Sequence, residues 1–437
     1  MRHSSCNPII IENKYITNKY ITMRKITKYA LLFAAALLTT AGLSSCSDDN
    51  NDNGETAGLT NAQKEMKAVG EQYVTNTVNS TYKYLAEETT NLYTLLDNDL
   101  TKFRAGTLTQ SDINQTCEIF KKARSYYEGS EAFLFGAATD FGIDPHIDTW
   151  PLNVSKLATT LKNKDQVKQM EEDNDVTVLG ETQLGFHGIE FVLFRNGANR
   201  TLAALKANET DKAFTKINAN VTGEEELVFA KVVALDLRDK CWQMEVAWNE
   251  NAPKEHKKRM KELEYTTTVN GGDYSYGQNF LAAGNAGSTY RTWEAAMNAI
   301  IIAGCENICD EVANTKIGNP YSGEDENYIE SPYSERSFYD FQDNIRSIEN
   351  SLYGGRSDDN SRNTSKSLIQ FMKDHNYEGL AQLESDLKAS INALEDCKTL
   401  KGGFVNNIHN AKVGVAQKAI QALDRDLTAA GEWMSKQ

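Results

Sequence analysis

Proline is scarce, with six in 437 residues. Pro145, Pro151, Pro253, Pro320 and Pro332 all fall where helical periodicity lapses. Proline removes an amide donor and clashes with the preceding turn, so this placement leaves long stretches free to be helical. No run of alternating strands appears, which excludes a sandwich or barrel. Histidine is as scarce: six, scattered, and no His-Glu-x-x-His among them. His3 lies far upstream, and His146, His256, His375 and His409 lack a second histidine beside them. The usual zinc-peptidase ligand set is therefore missing. No Gly-x-Ser-x-Gly occurs, and Cys117 has no base beside it in sequence, so nucleophilic catalysis has no support. The one strongly apolar stretch near the start, Ala30–Leu38, is too short to cross a bilayer as a stop-transfer helix.

Basic charge is in deficit. The formal net charge is −15, and the first 45 residues hold six Lys or Arg against one Glu, so the remainder carries −20. A body this acidic repels phosphate backbones and argues against nucleic acid as a partner. With 40% hydrophobic and 24% charged residues, the chain still has enough apolar surface for ordinary cores.

What the N-terminus contains is an export signal. Arg24, Lys25 and Lys28 precede the apolar Ala30–Leu38, and Leu43-Ser44-Ser45-Cys46 resembles a lipobox. Cys46 is then the acylated first residue, and the mature protein meets a membrane through that lipid anchor. Residues 1–22 precede Met23 and read as a misassigned start. Residues 46–59 form an acidic tether without apolar periodicity. Acidic residues right after the lipidated cysteine also resemble a surface-export signal, so the expected location is the outer membrane, on its periplasmic face or the cell surface. Five cysteines follow Cys46, an odd number that leaves at least one thiol unpaired within a monomer. Cys305 and Cys309 share a helix face and read as small buried residues.

From Thr60 onward helical periodicity dominates. Thr60 suits an N-cap for a helix to about Phe103, and Ser111 for one through Ala138. Further helices are expected around His187, over Glu224–Asn249, Tyr290–Lys316, Ser334–Leu352, Tyr377–Lys398 and from Phe404 to the end. The Lys254–Lys261 charge run and the segment Gly271–Gly287 read as interruptions. Helices with apolar stripes bury them against one another, which predicts an all-α fold of two four-helix-bundle-like domains, 60–250 and 251–437. His187-Gly188-Ile189-Glu190…Leu193-Phe194 echoes Arg346-Ser347-Ile348-Glu349…Leu352-Tyr353, which suggests that the halves arose by internal duplication.

The best site candidate is Gly185-Phe186-His187-Gly188-Ile189-Glu190. Residues three apart share a helix face, so His187 and Glu190 can aim an imidazole and a carboxylate at one point, an arrangement that suits a transition metal. Gly185 and Gly188 leave room for another backbone or a ligand. The same spacing also serves a plain helix-face hydrogen bond.

The Gly-x-His-x-x-Glu stretch resembles the signature of the imelysin-like proteins, also classed as an M75 peptidase family. Ala123-Arg124…Glu131-Ala132-Phe133…Phe135-Gly136, Ile147-Asp148-Thr149-Trp150-Pro151 and Ser331-Pro332-Tyr333-Ser334…Asp340…Asn344 resemble its other segments in order, covering Thr60 to the C-terminus. The resemblance implies two helical bundles with the His/Glu motif at their interface, and a divalent or iron cation at His187, Glu190 and Glu131. It also brings in Arg124, two turns before Glu131, with Trp150 as a loop anchor and Ser334, Asp340 and Asn344 approaching from the second half. An N-cap role explains Ser334 equally well. The implied function is iron or haem uptake in the cell envelope, with uptake components as partners. The alternatives are a metal-dependent peptidase and a peptide- or polysaccharide-binding module, the latter suggested by Tyr274-Ser275-Tyr276.

Overall fold

Thr60 opens the first helix through a reciprocal cap: its hydroxyl accepts the Gln63 amide at 3.1 Å, and the Gln63 side chain returns to the Thr60 N–H at 3.2 Å. The structure, a computed structural model, describes residues 58–357, 360 and 362–437. Cys46, the export signal and nearly all of the tether lie outside them. The first helix, α1 (Asn61–Gln72), runs through a π-helical stretch, Tyr73–Asn79, into α2 (Ser80–Arg104), close to the expected end at Phe103. The next, α3, spans Gln110–Glu128. Its cap is Thr109 rather than Ser111, because the Asp112 carboxylate accepts the Thr109 N–H and completes a second capping box. It also stops at Glu128, ten residues before the expected end at Ala138. Beyond Gly129 the chain turns into a single 3-10 turn, Glu131–Phe133.

Helix α4 (Gly185–Leu193) carries the His/Glu motif, and α5 (Gly223–Trp248) starts on a capping box between Thr222 and Glu225. The Lys254–Lys261 run does not interrupt the helical pattern: it is the helix Lys254–Glu262, begun by Pro253, where a missing amide costs nothing. The segment 271–287 likewise contains a short helix, Tyr276–Leu281, capped by Ser275. From Trp293 to Lys316 the chain alternates α- and π-helical turns. Three long helices and one short one, Leu368–Asp374, close the fold: α6 (Ser337–Tyr353), α7 (Leu380–Cys397) and α8 (Ala411–Met434) are the long ones. Strand structure among the described residues is a two-residue hairpin, Phe194–Arg195 with Ala198–Asn199. The fold is all-α, as expected.

Helix α2 packs along α3 and α5, α7 packs along α8, and α6 touches both α3 and α7. The apolar cluster is continuous from Met66 to Met434, so both halves share one core, and Gly58–Gln437 form one compact unit. The reason is close contact across the middle. A Cβ on Gly304 would fall on the Ala132 carbonyl, and Ser347 Oγ accepts the Ala132 N–H at 2.9 Å. The sequence echo lies on helices of unlike length, α4 with 9 residues and α6 with 17. All five cysteines of the described residues are buried and free, including Cys305 and Cys309. No described helix is long and apolar enough to cross a membrane.

Candidate metal centre

Every residue of α4 is buried. Its first residue, Gly185, has φ +64°, and a Cβ there would sit on the Ile147 carbonyl oxygen. Only glycine permits this approach, and the loop it admits carries Asp148. His187 Nε2 thus lies 3.2 Å from Asp148 Oδ1, while Nδ1 lies 3.6 Å from Glu190 Oε2 one turn along the helix. The other Glu190 oxygen is held from the second half: Oε1 accepts the Tyr333 and Ser334 amides at 3.1 and 2.8 Å and the Ser334 hydroxyl at 2.7 Å.

Beside this helix lies a buried charge cluster centred on Arg124, which is 1% exposed. Its guanidinium pairs with Glu128 and Asp148, with Glu330 at 2.6 Å and with Asp340 at 3.5 Å. Lys316, equally buried, lies 3.3 Å from Glu330 and 3.7 Å from Glu128, and 3.3 Å from Asn344 Oδ1. Asn344 Nδ2 donates to Glu128 at 2.5 Å, and Ser331 Oγ donates to Asp340 at 2.5 Å. Trp150 covers the group, its ring 6.1 Å from that of His187 with the Lys316 ammonium 5.0 Å above it. Just outside, a cleft of about 400 Å³ is lined by Pro151, Leu152, Ile329, Pro332, Tyr333 and Ile408, among others.

Burial sets the electrostatics. It opposes ionisation of Asp148, but Arg124 and His187 outweigh it and hold the carboxyl at about 2. Burial also disfavours the His187 imidazolium, yet the adjacent Asp148 and Glu190 carboxylates lift it to about 9. Glu128, Glu131 and Glu330 are pushed above the usual carboxylate range by burial, against the pull of Lys316. Asp144, half-buried beside them, rises to about 7 through desolvation although the Tyr127 hydroxyl donates to it. More carboxylates meet here than fixed cations can neutralise.

Residues 78–430 match the imelysin family, peptidase M75. The chain belongs to that family. Iron-regulated protein A of Synechococcus elongatus is 26% identical over 250 residues, covering 57% of this chain and 55% of that protein, so the match spans about half of the relative's length. Among solved structures, one assigned as an iron-regulated protein A precursor from Parabacteroides distasonis shares the fold. It has a TM-score of 0.63 at 22% identity and covers 86% of this chain and 96% of its own. An imelysin-like protein from Psychrobacter arcticum aligns with a TM-score of 0.49 at 12% identity, over 86% and 94% of the two chains.

Among the described residues of this imelysin-family chain, three overlapping triads have candidate ligand atoms within 4.8 Å of one another: Asp148–His187–Glu330, Glu128–Glu131–Asp148, and Glu128–Glu330–Asp340. His187 and Glu190 come together as their spacing suggests. Glu131 joins Glu128 and Asp148 rather than a triad with His187. Because α3 ends at Glu128, Glu131 does not continue Arg124's helix face, and Glu128, one turn from Arg124, is its ion-pair partner. Ser334, Asp340 and Asn344 all reach the cluster from the second half. Ser334 is not a helix cap: α6 begins at Ser337, and the Ser334 hydroxyl is spent on Glu190. Tyr276, offered as part of a saccharide surface, is buried against Trp248.

Sequence reasoning missed Glu128, Asp148, Lys316 and Glu330 as site residues. Two signals were available: Asp148 lies in the Asp-x-Trp-Pro loop, and Glu128 is four residues from Arg124. Nothing local marks Lys316 or Glu330, which tertiary packing delivers.

Proposed function

We propose that this protein is an exported, lipid-anchored imelysin-family protein of the cell envelope that binds a divalent or iron cation and serves iron uptake. The observation that carries the reading is the Asp148–His187–Glu330 triad: three buried side chains with ligand atoms within 4.8 Å, backed by Glu190. One imidazole nitrogen with carboxylate oxygens is a donor set for iron, zinc or manganese rather than for calcium. Orphaned atoms support the fit. His187 Nε2, Glu190 Oε2 and Glu330 Oε2 are buried without a hydrogen-bond partner among the described residues, although His187 Nε2 does lie within ion-pair distance of Asp148. A bound cation would take up these lone pairs, with His187 in its neutral form, so binding would release a proton. The lipobox at Cys46 supports the envelope location, and relatives named for iron regulation support the choice of iron. The metal-dependent peptidase alternative would use the same ion with a bound water, and chelator-sensitive cleavage of denatured protein chains is its readout.

Elemental analysis of the Ser47–Gln437 fragment beside its His187→Ala variant, after loading with iron, zinc or copper, tests the proposal. Near-stoichiometric metal in the parent and little in the variant is the expected result. Metal in neither protein would overturn it and leave ligand binding at the cleft by Pro151 and Tyr333 as the better reading.

A further inference from the structure

The cluster contains more than one triad needs. Glu128, Glu131, Asp148, Glu190, Glu330 and Asp340 are all buried, and the permanent cations among them are Arg124 and Lys316. A histidine that ligates a metal is neutral, so with His187 in that role and every carboxylate ionised, four negative charges would remain uncompensated. Buried charge of that size is not tolerated in a low-dielectric interior without counter-ions or protons. One divalent cation at Asp148–His187–Glu330 neutralises half of it. Two neutralise it all.

A second set of ligands is in place. Glu128, Glu131 and Asp148 converge within 4.8 Å, all oxygen donors, and Asp148 belongs to both triads. Glu131 is the independent pointer. It is 4% exposed, and among the described residues the Lys316 ammonium offsets its charge through space, with no hydrogen bond or ion pair within 4 Å to its carboxylate. Glu128 Oε1 likewise finds no hydrogen-bond partner, though it ion-pairs with Arg124. A buried carboxylate oxygen without a hydrogen bond is costly and calls for an occupant. The third triad, Glu128–Glu330–Asp340, differs because the Arg124 guanidinium already pairs with all three of its members.

We propose that the centre holds two cations, a second hard divalent ion taken by the oxygens of Glu128, Glu131 and Asp148, with Asp148 bridging it to the ion on His187. This rests on the cation reading given above. Lys316, near Glu128, stands beside the second position, where the oxygen ligands suit hard ions such as Mn²⁺. The all-oxygen set disfavours soft metals there.

The test is manganese titration of the purified chain, with bound metal counted after dialysis and electron paramagnetic resonance spectra recorded alongside. Two Mn²⁺ per chain with an exchange-coupled spectrum is expected in the parent. Glu131→Gln, which keeps the side-chain shape, should fall to one ion with an uncoupled six-line spectrum. One ion in the parent, unchanged in Glu131→Gln and lost in His187→Ala, would overturn the second site while leaving the first. No ion in the parent would overturn both. Should the Gln variant fail to fold by circular dichroism, the stoichiometry and coupling of the parent decide alone: one ion, or two uncoupled ions, refutes the bridged centre.

Discussion

Arg124→Met separates charge from packing at the centre of this protein. Methionine keeps an unbranched apolar stem of similar length and removes the guanidinium, whose carbon lies 5.7 and 5.2 Å from the Tyr127 and Phe186 rings. What it removes is the positive charge that Glu128, Asp148, Glu330 and Asp340 share. Deleting one partner of a buried ion pair costs about 3–5 kcal/mol, and four carboxylates left with Lys316 and the His187 imidazolium keep this case within that range. Burial already raises Glu128 and Glu330 above the ordinary range, so part of the loss is recovered by protonation as the pH falls. Urea unfolding in chelator-treated buffer should therefore show a destabilisation of about 4 kcal/mol at pH 7 and roughly half that at pH 5. A loss under about 1 kcal/mol at pH 7 would refute the charge argument. So would an equal loss at both pH values, which would assign the effect to packing.

Three substitutions at other positions probe the same architecture. In metal-free protein the folded-state value of about 9 for His187 exceeds its unfolded value near 6.5. Its contribution, roughly 3 kcal/mol, is fully present below pH 6.5 and is lost as pH rises through 9. Glu226, which burial raises to about 8, loses stability in the same direction, so the readout is the difference in slope between the parent and His187→Gln from pH 6 to 9. Identical slopes would remove His187 from the account. Gly185→Ala should cost at least about 3 kcal/mol, from a strained left-handed alanine plus overlap with the Ile147 carbonyl, and should abolish metal uptake. Parental stability in that variant would show that the Asp148 loop need not approach α4. Gly304→Ala, which meets the Ala132 carbonyl between the two halves, should cost about 1–3 kcal/mol in thermal unfolding without changing metal identity, and a neutral result would argue that the halves can shift apart at this seam.

The sequence by itself determined those features whose causes are local. The Thr60 cap, the all-helical character and the shared face of His187 and Glu190 follow from neighbours within four residues, where hydrogen-bond reach and helical pitch decide the outcome. Its local errors came from competition between similar signals. Thr109 outdid Ser111 because Asp112 could return its bond, and the Lys254–Lys261 run stayed helical because Pro253 stands at a helix start, where proline is tolerated. Tertiary structure decided everything that depends on non-adjacent approach. Asp148 reaches His187 because Gly185 admits the Ile147 backbone, and the end of α3 at Glu128 turns Glu131 away from Arg124's face. Lys316 and Glu330 enter from segments far along the chain, set by how the second half packs on α3. Side-chain spacing along one helix fixes which residues share a face. Which buried charges meet across helices is set by the registers in which those helices pack, because burial and ion pairing there depend on contacts that no local pattern encodes.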